Sequence, residues 1–223
     1  MAISRNTIER KLSDIRERIA AAAERSGRAS DAVTLVAVTK TVGVEEMRML
    51  LDFGVTHFAE NRLPDCLPKI EAIGNAASWH FIGNLQRRKV RDAVGYFDRI
   101  DAVDRASLVD ELEKRAEQAE RELPILLEVN VSGEESKSGV SPEELPLLLD
   151  HVNAQLHLKA LGLLTMAPFT DNWAVVRPVF AALRELADAH GLPVRSMGMS
   201  NDFELAIEEG ATEVRIGTSL FRD

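Results

Sequence analysis

Lys40 is the residue whose type and position most directly suggest covalent chemistry. It follows an apolar, β-branched run at residues 34–38, with only Thr39 between them, and such a run is typical of a strand buried on both faces. A lysine amine at the end of a buried strand can attack a carbonyl and form a Schiff base when it is partly desolvated. Taken alone, however, a lysine at a strand end is far more often a solvent-facing side chain.

Two glycine-containing segments near the C-terminus predict an anion site. Residues 196–201 read Ser-Met-Gly-Met-Ser-Asn, and residues 215–219 read Arg-Ile-Gly-Thr-Ser. Glycine lets backbone N–H groups approach an anion closely, and small hydroxyl side chains add donors. Ser200 or Asn201 can also cap the helix that follows. Each segment alone reads equally well as an ordinary turn, but together they favour a phosphate site.

Other common site patterns are absent from the sequence. The five histidines have no H-x-x-x-H or H-E-x-x-H spacing and the chain has one cysteine, Cys66, so we predict no metal site. A Gly-x-Ser-x-Gly hydrolase motif is also absent. The basic cluster of Arg87, Arg88, Lys89 and Arg91 is read as a solvated helix face, with an anion or partner surface as the alternative.

The elements that must position these residues alternate regularly. After a leading helix with Ile8, Leu12, Ile15 and Ile19 on one face, eight strand-like runs are separated by helical segments. The runs lie at residues 34–38, 56–59, 78–82, 96–100, 124–130, 156–163, 194–197 and 213–216. Eight such units in a chain of 223 residues predict an α/β fold, a single (β/α)8 TIM-type barrel over residues 1–223 with an extra N-terminal helix. In such a barrel, functional groups follow the C-terminal ends of the strands, and phosphate commonly binds after strands seven and eight.

Composition limits the class of partner. The chain carries 27 Lys and Arg against 36 Asp and Glu, a net charge of −9, which argues against a nucleic-acid binder. A single cysteine cannot form an internal disulfide. We find neither a secretory signal at the start nor an apolar run long enough to span a membrane. The sequence therefore predicts a cytoplasmic protein.

A set of motifs running from the first strand to the C-terminus closely resembles the YggS/PROSC family of pyridoxal phosphate-binding, or pyridoxal phosphate homeostasis, proteins. The family is itself similar to the barrel domain of alanine racemase and of eukaryotic-type ornithine decarboxylases. The matching segments include Val-Thr-Lys40, Glu60-Asn61, Trp79-His80-Phe-Ile-Gly, Glu-Val-Asn130, Lys137-Ser-Gly139, Leu-Thr-Met166, Ser196-Met-Gly-Met-Ser200 and Arg215-Ile-Gly-Thr218.

This resemblance implies pyridoxal 5′-phosphate as the cofactor, with Lys40 carrying it as a Schiff base. Arg215 corresponds to the arginine facing the pyridine nitrogen. Ser200, Gly217 and Thr218 correspond to the phosphate cradle, with Met199 in the same segment. Asn61 and His80 correspond to contacts beside the ring. The family's usual Gly-Glu-Asn and Gly-Pro-Leu-Gln appear here with Ala59 and Asn84, and neither change removes a group that the cofactor needs. The segment from Ser136 to Gly139 is a candidate for ligand gating.

Three functions are compatible with a Schiff base on Lys40. The resemblance favours a protein of intracellular vitamin B6 homeostasis, which holds the cofactor and releases it to amine-containing recipients, including pyridoxal phosphate-dependent apoenzymes. The alternative is an amino-acid racemase of low activity with His80 as a second base. The only tyrosine, Tyr96, is predicted to start strand four at the wrong end of the barrel, and the chain ends directly after the last predicted strand. A third possibility is a cofactor-free Schiff-base aldolase.

Overall fold

The computed structural model describes residues 3–134 and 137–222. Eight parallel strands form a closed barrel in chain order, β1 to β8. The strands are β1 (Thr34–Val38), β2 (His57–Glu60), β3 (Ser78–Phe81), β4 (Arg99–Val103), β5 (Leu123–Glu128), β6 (Leu158–Leu164), β7 (Val194–Ser196) and β8 (Glu213–Ile216). The helices are α1 (Arg5–Arg25), α2 (Val44–Asp52), α3 (Leu63–Ile73), α4 (Val90–Tyr96), α5 (Ala106–Gln118), α6 (Leu145–Asn153), α7 (Trp173–Ala189), α8 (Phe203–Glu208) and α9 (Thr218–Phe221). The predicted barrel with an N-terminal helix is confirmed.

Closure of the barrel brings the first and last strands side by side. Val36 of β1 lies opposite His57 of β2 on one side and Arg215 of β8 on the other. Because all strands run in the same direction, the residues that follow β1, β7 and β8 meet at one end. This end therefore collects Lys40 and both glycine-containing segments.

Alternation along the strands separates two apolar clusters. Ala37 belongs to the main core between strands and helices. Its neighbours Val36 and Val38 belong to a smaller cluster with Ala59, against which Ile82 packs. Since successive strand residues point to opposite faces, this smaller cluster faces the barrel interior, and Thr39 continues the outward row.

Most strand bounds differ from the prediction by one or two residues, and two larger differences concern residues considered for the site. The fourth strand runs over Arg99–Val103 instead of residues 96–100, because Tyr96 is the last residue of α4. Tyr96 still precedes the strand and so lies towards its N-terminal end, but it does not start it. The short helix α9 follows β8 and was not predicted, so Gly217 and Thr218 lie at a strand-to-helix turn.

Helix α1 packs on the outside of the barrel. It contacts α8, α9 and α2 and buries Ile8, Leu12, Ile15 and Ile19. None of the helices in the described part of the chain combines the length and apolar character that crossing a bilayer requires.

Candidate functional site

Six of the eight residues predicted to contact the cofactor line one cavity at the C-terminal end of the strands. The cavity has a volume of about 440 Å³, within the usual range for small-molecule sites. The six residues come from the ends of β1, β7 and β8, and they are Lys40, Met199, Ser200, Arg215, Gly217 and Thr218.

Lys40 stands at the rim of this cavity. Its side chain is exposed, whereas the two residues before it, Val38 and Thr39, are 8% and 0% exposed. The strand is therefore anchored in the core up to the residue that precedes Lys40. The amine can reach both the cavity and solvent, as a residue that exchanges a carbonyl compound requires.

Arg215 provides a fixed positive charge in the cavity wall. It is 4% exposed, and its Nη1 donates to the carbonyl oxygen and the Oγ of Ser196 at 2.7 and 2.9 Å. Its Nη2 donates to the carbonyl oxygen of Thr165 at 2.9 Å. Burial lowers the pKa of Arg215, and the neighbouring carboxylates Asp101 and Glu128 oppose that effect. These three bonds fix the guanidinium in place against the ends of β6 and β7.

The turn after β7 and the turn after β8 are joined by hydrogen bonds. Ser200 Oγ accepts from the backbone N–H of Ser219 at 3.2 Å, and Asp202 Oδ1 accepts from the backbone N–H of Met199 at 2.6 Å. A Cβ atom on Gly217 would stand 3.3 Å from the Cβ and carbonyl oxygen of Val38. Gly217 therefore allows the turn after β8 to pack closely against the end of β1.

The structure does not bring Asn61 and His80 into the cavity lining. Asn61 is half-buried directly after β2. His80 is 2% exposed and lies inside the barrel, with Nδ1 3.0 Å from Arg99 Nη2 and Nε2 3.3 Å from His57 Nδ1. Burial, with Arg99 adding to it, lowers the pKa of His80 to about 3. His80 is therefore a neutral interior side chain, and its roles as a ring contact and as a second base stay predictions.

His80 is also part of a potential metal-ligand group, with Asp101 and Glu213. The guanidinium of Arg99 fills the space between them, with bonds of 2.6 and 2.9 Å to Asp101 and of 2.8 and 2.6 Å to Glu213. The three groups are thus already used by a protein cation.

Sequence reasoning missed the contribution of the loop after β6. Ala167, Pro168 and Phe169 line the cavity, and Phe169 is 91% exposed. Apolar side chains are poor markers of a site in a sequence, since most lie in a core. The sequence feature that could have indicated these residues is their position, because they follow a barrel strand directly.

Two other predicted segments lie outside the cavity. Lys137 Nζ donates to Glu134 Oε1 at 2.8 Å and to the carbonyl oxygen of Met166 at 3.2 Å, so the Lys-Ser-Gly loop contacts the loop after β6. Ser136 lies outside the described residues. In the basic cluster, Arg87 pairs with Glu111 at 3.2 Å and Arg91 with Asp92 at 3.5 Å.

Comparison with known proteins gives a consistent result. Residues 11–223 match the family model described as alanine racemase, N-terminal domain. The chain is 45% identical over 223 residues to the pyridoxal phosphate homeostasis protein of Aquifex aeolicus, covering 97% of each. The structure of PipY of Synechococcus elongatus PCC7942 with pyridoxal phosphate bound is similar with a TM-score of 0.82 at 29% identity, over 96% of this chain and 99% of that one. An alanine racemase of Clostridium difficile 630 shares the fold, with a TM-score of 0.74 at 14% identity over 96% of this chain and 56% of the racemase.

Proposed function

The chain belongs to the alanine racemase N-terminal domain family and, within it, to the pyridoxal phosphate homeostasis proteins, and we propose that it binds pyridoxal 5′-phosphate through a Schiff base on Lys40. The carrying observation is the placement of Lys40, Arg215 and Thr218 around one cavity of about 440 Å³. The bound form of PipY supports the same cofactor for this chain.

The donors of this cavity fit that group. Pyridoxal phosphate supplies an aldehyde that reacts with primary amines and an electron-withdrawing ring. Lys40 provides the amine. Ser200, Gly217 and Thr218 provide hydroxyl and backbone donors for the phosphate. Met199 lies next to Ser200 in the turn after β7. If Arg215 faces the ring nitrogen, as the family resemblance implies, its permanent positive charge would oppose protonation of that nitrogen and so weaken carbanion chemistry.

We further propose that the protein serves vitamin B6 homeostasis, holding the reactive aldehyde and passing it to amine-containing recipients such as pyridoxal phosphate-dependent apoenzymes in the cytoplasm. The exposed side chain of Lys40 supports exchange with an external amine. The two residues considered as a second base for racemisation do not favour that activity, since His80 is buried in the barrel interior and Tyr96 precedes β4.

The test compares the wild-type protein with Lys40→Ala in the presence of pyridoxal phosphate. We expect the wild type to develop the visible absorption of a protonated Schiff base and Lys40→Ala to lack it. Lys159→Ala is the matched control, because Lys159 lies near the start of β6 with its side chain 59% exposed. A wild-type protein without the band, or a Lys40→Ala protein that keeps it, would reject the proposal.

A further inference from the structure

A buried polar cluster lies behind the strand end that carries Lys40, on the helix side of the barrel. It consists of Thr39 at the end of β1, Glu60 at the end of β2 and Lys69 on α3, and we name it the Glu60 latch. Thr39 and Glu60 are 0% and 1% exposed, and the side chain of Lys69 is 13% exposed. These groups are therefore largely removed from water, although two of them are charged.

The three residues close a ring of hydrogen bonds. Thr39 Oγ1 donates to Glu60 Oε1 at 2.7 Å. Lys69 Nζ donates to the same carboxylate oxygen at 2.9 Å and to the carbonyl oxygen of Thr39 at 2.9 Å. Both ends of one residue, its hydroxyl and its peptide carbonyl, are thus tied to a single ion pair.

The latch fixes the peptide from which Lys40 projects. The N–H of Thr39 donates to the carbonyl oxygen of Ala59 at 3.1 Å, and its carbonyl oxygen also accepts from the N–H of Val42 at 3.1 Å. All of the polar groups of Thr39 are therefore engaged, by β2, by α3 and by the turn that follows Lys40. The backbone is held on both sides of Lys40.

Close packing of the core does not by itself require a buried ion pair at this position. A buried ion pair is often no more stabilising than apolar residues of the same volume. Glu60 Oε2 has no hydrogen-bond partner among the described residues, so the carboxylate is only half satisfied. Burial, together with the charge of Glu60, raises the pKa of the neighbouring Cys66 thiol to about 12, so Cys66 is neutral beside Glu60.

We propose that Glu60 and Lys69 are positioning residues for Lys40, which hold its backbone so that the amine meets the aldehyde in a reactive geometry. The inference rests on the proposed function, since it concerns formation of the same Schiff base. Misplacement of a reacting group by about 1 Å can reduce reactivity up to a hundredfold. The phosphate side of the cavity is formed by the turns after β7 and β8. None of the latch hydrogen bonds given above involves a residue of these turns.

The test uses the double variant Glu60→Gln/Lys69→Met, which removes both charges together and so leaves no unpaired buried ion. Two ligands separate positioning from general damage. Pyridoxal phosphate reports on Schiff-base formation through its visible absorption, whereas pyridoxine 5′-phosphate lacks the aldehyde and reports on the phosphate and ring contacts by calorimetry. We expect the affinity for pyridoxal phosphate to fall about tenfold and that for pyridoxine 5′-phosphate to stay unchanged.

Thr39→Val keeps the ion pair and removes one donor, and we expect it to weaken pyridoxal phosphate binding about threefold, so the inference stays testable if the double variant does not fold. Glu113→Gln is the control, because Glu113 Oε1 accepts from His157 Nδ1 at 2.8 Å before the start of β6, at the opposite end of the barrel. Equal binding of pyridoxal phosphate by the latch variants and wild type would overturn the inference, and so would an equal loss for both ligands. A wild-type protein that forms no Schiff base would instead overturn the proposed function itself.

Discussion

Glu128 is a buried titratable side chain at the end of β5, close enough to the cofactor cavity to interact with Arg215. It is 5% exposed. Burial raises its pKa to about 7, with the negative charge of Asp104 adding to the rise and Arg215 opposing it. Its carboxyl is therefore partly protonated at neutral pH.

The first prediction concerns the stability of Glu128→Gln. The folded protein binds the Glu128 proton more tightly than the unfolded chain, whose ordinary carboxyl pKa is 4.5. The contribution of this proton to the free energy of unfolding is therefore fully present below about pH 4.5. It is lost as the pH rises towards 7. We expect Glu128→Gln to be more stable than wild type by on the order of 2 kcal/mol above pH 7, with the difference shrinking towards pH 4.5.

Urea unfolding of both proteins at several pH values measures this difference. A ΔΔG that does not change with pH would contradict the assignment of a raised pKa to Glu128.

At the same scale, His80 illustrates what a sequence leaves open. Its position near the end of a strand could be predicted, because a buried strand appears in the sequence as an apolar run. Its neighbours were not, since Arg99 lies 19 residues away and Arg99 in turn binds Glu213, 114 residues away. Only the closed barrel brings these charges together, so the hydrogen-bond partners of His80 could not be predicted from the sequence. Lys69, which pairs with Glu60 in the latch, lies only 9 residues further along the chain, but a lysine in a helical segment does not by itself indicate a buried carboxylate partner.

At the scale of elements, the turn after β7 depends on one glycine. Gly198 has a φ of +91°, and a Cβ atom there would stand 2.6 Å from the Cβ of Ala206 and 2.9 Å from the Cα of Phe203 in α8. The turn can therefore approach α8 only without a side chain, and this approach places Met199 and Ser200 at the cavity.

We expect Gly198→Ala to destabilise the protein by about 3 kcal/mol, because it combines a left-handed φ with overpacking. Gly191→Ala is the control, since Gly191 follows the end of α7 with a φ of +66° and has nothing within 4 Å of its Cβ position, and we expect it to cost about 1 kcal/mol. The free energy of unfolding of each variant is measured by chemical denaturation at one temperature, and thermal unfolding gives the change in Tm. Equal losses in the two variants would show that the contact with α8 is unimportant.

The strands themselves were the most predictable elements. Residues 34–38 were predicted with the bounds that the structure has, because a β-branched apolar run fits a doubly buried parallel strand. Residues 213–216 were also predicted with the observed bounds, although Glu213 and Arg215 alternate there with two β-branched residues. The fourth strand was predicted three residues too early, since its interior carries the charged Arg99 and Asp101, while Tyr96 ends α4 and Phe97 follows that helix directly. The hydrophobic run at residues 96–100 therefore indicated the end of the helix together with the start of the strand.

At the scale of the whole molecule, α1 ties the N-terminus to the helices that follow β7 and β8. Arg18 Nη2 donates to Glu204 Oε2 of α8 at 2.8 Å, and the guanidinium of Arg18 lies 4.7 Å from the ring centroid of Phe203. Leu12 on the same helix is 1% exposed. That residues 1–223 form one domain stays a prediction, and it requires α1 to unfold together with the barrel.

We expect Leu12→Ala to lower the free energy of unfolding by 2–5 kcal/mol in a single transition that also includes the barrel. Leu156→Ala is the control, because Leu156 is 87% exposed, and its effect should stay within about 0.5 kcal/mol. Far-ultraviolet circular dichroism and the fluorescence of buried Trp79 should report the same midpoint. Two separate transitions would contradict the prediction of one domain.

The central claim is that Lys40 carries the cofactor, and reduction by borohydride followed by mass mapping tests it most directly. The wild-type protein would be incubated with pyridoxal phosphate, reduced, digested and sequenced by mass spectrometry. We predict one reduced pyridoxyl phosphate adduct per chain, on the peptide that contains Lys40. An adduct that is absent, or that lies mainly on another lysine such as Lys69 or Lys137, would contradict the account.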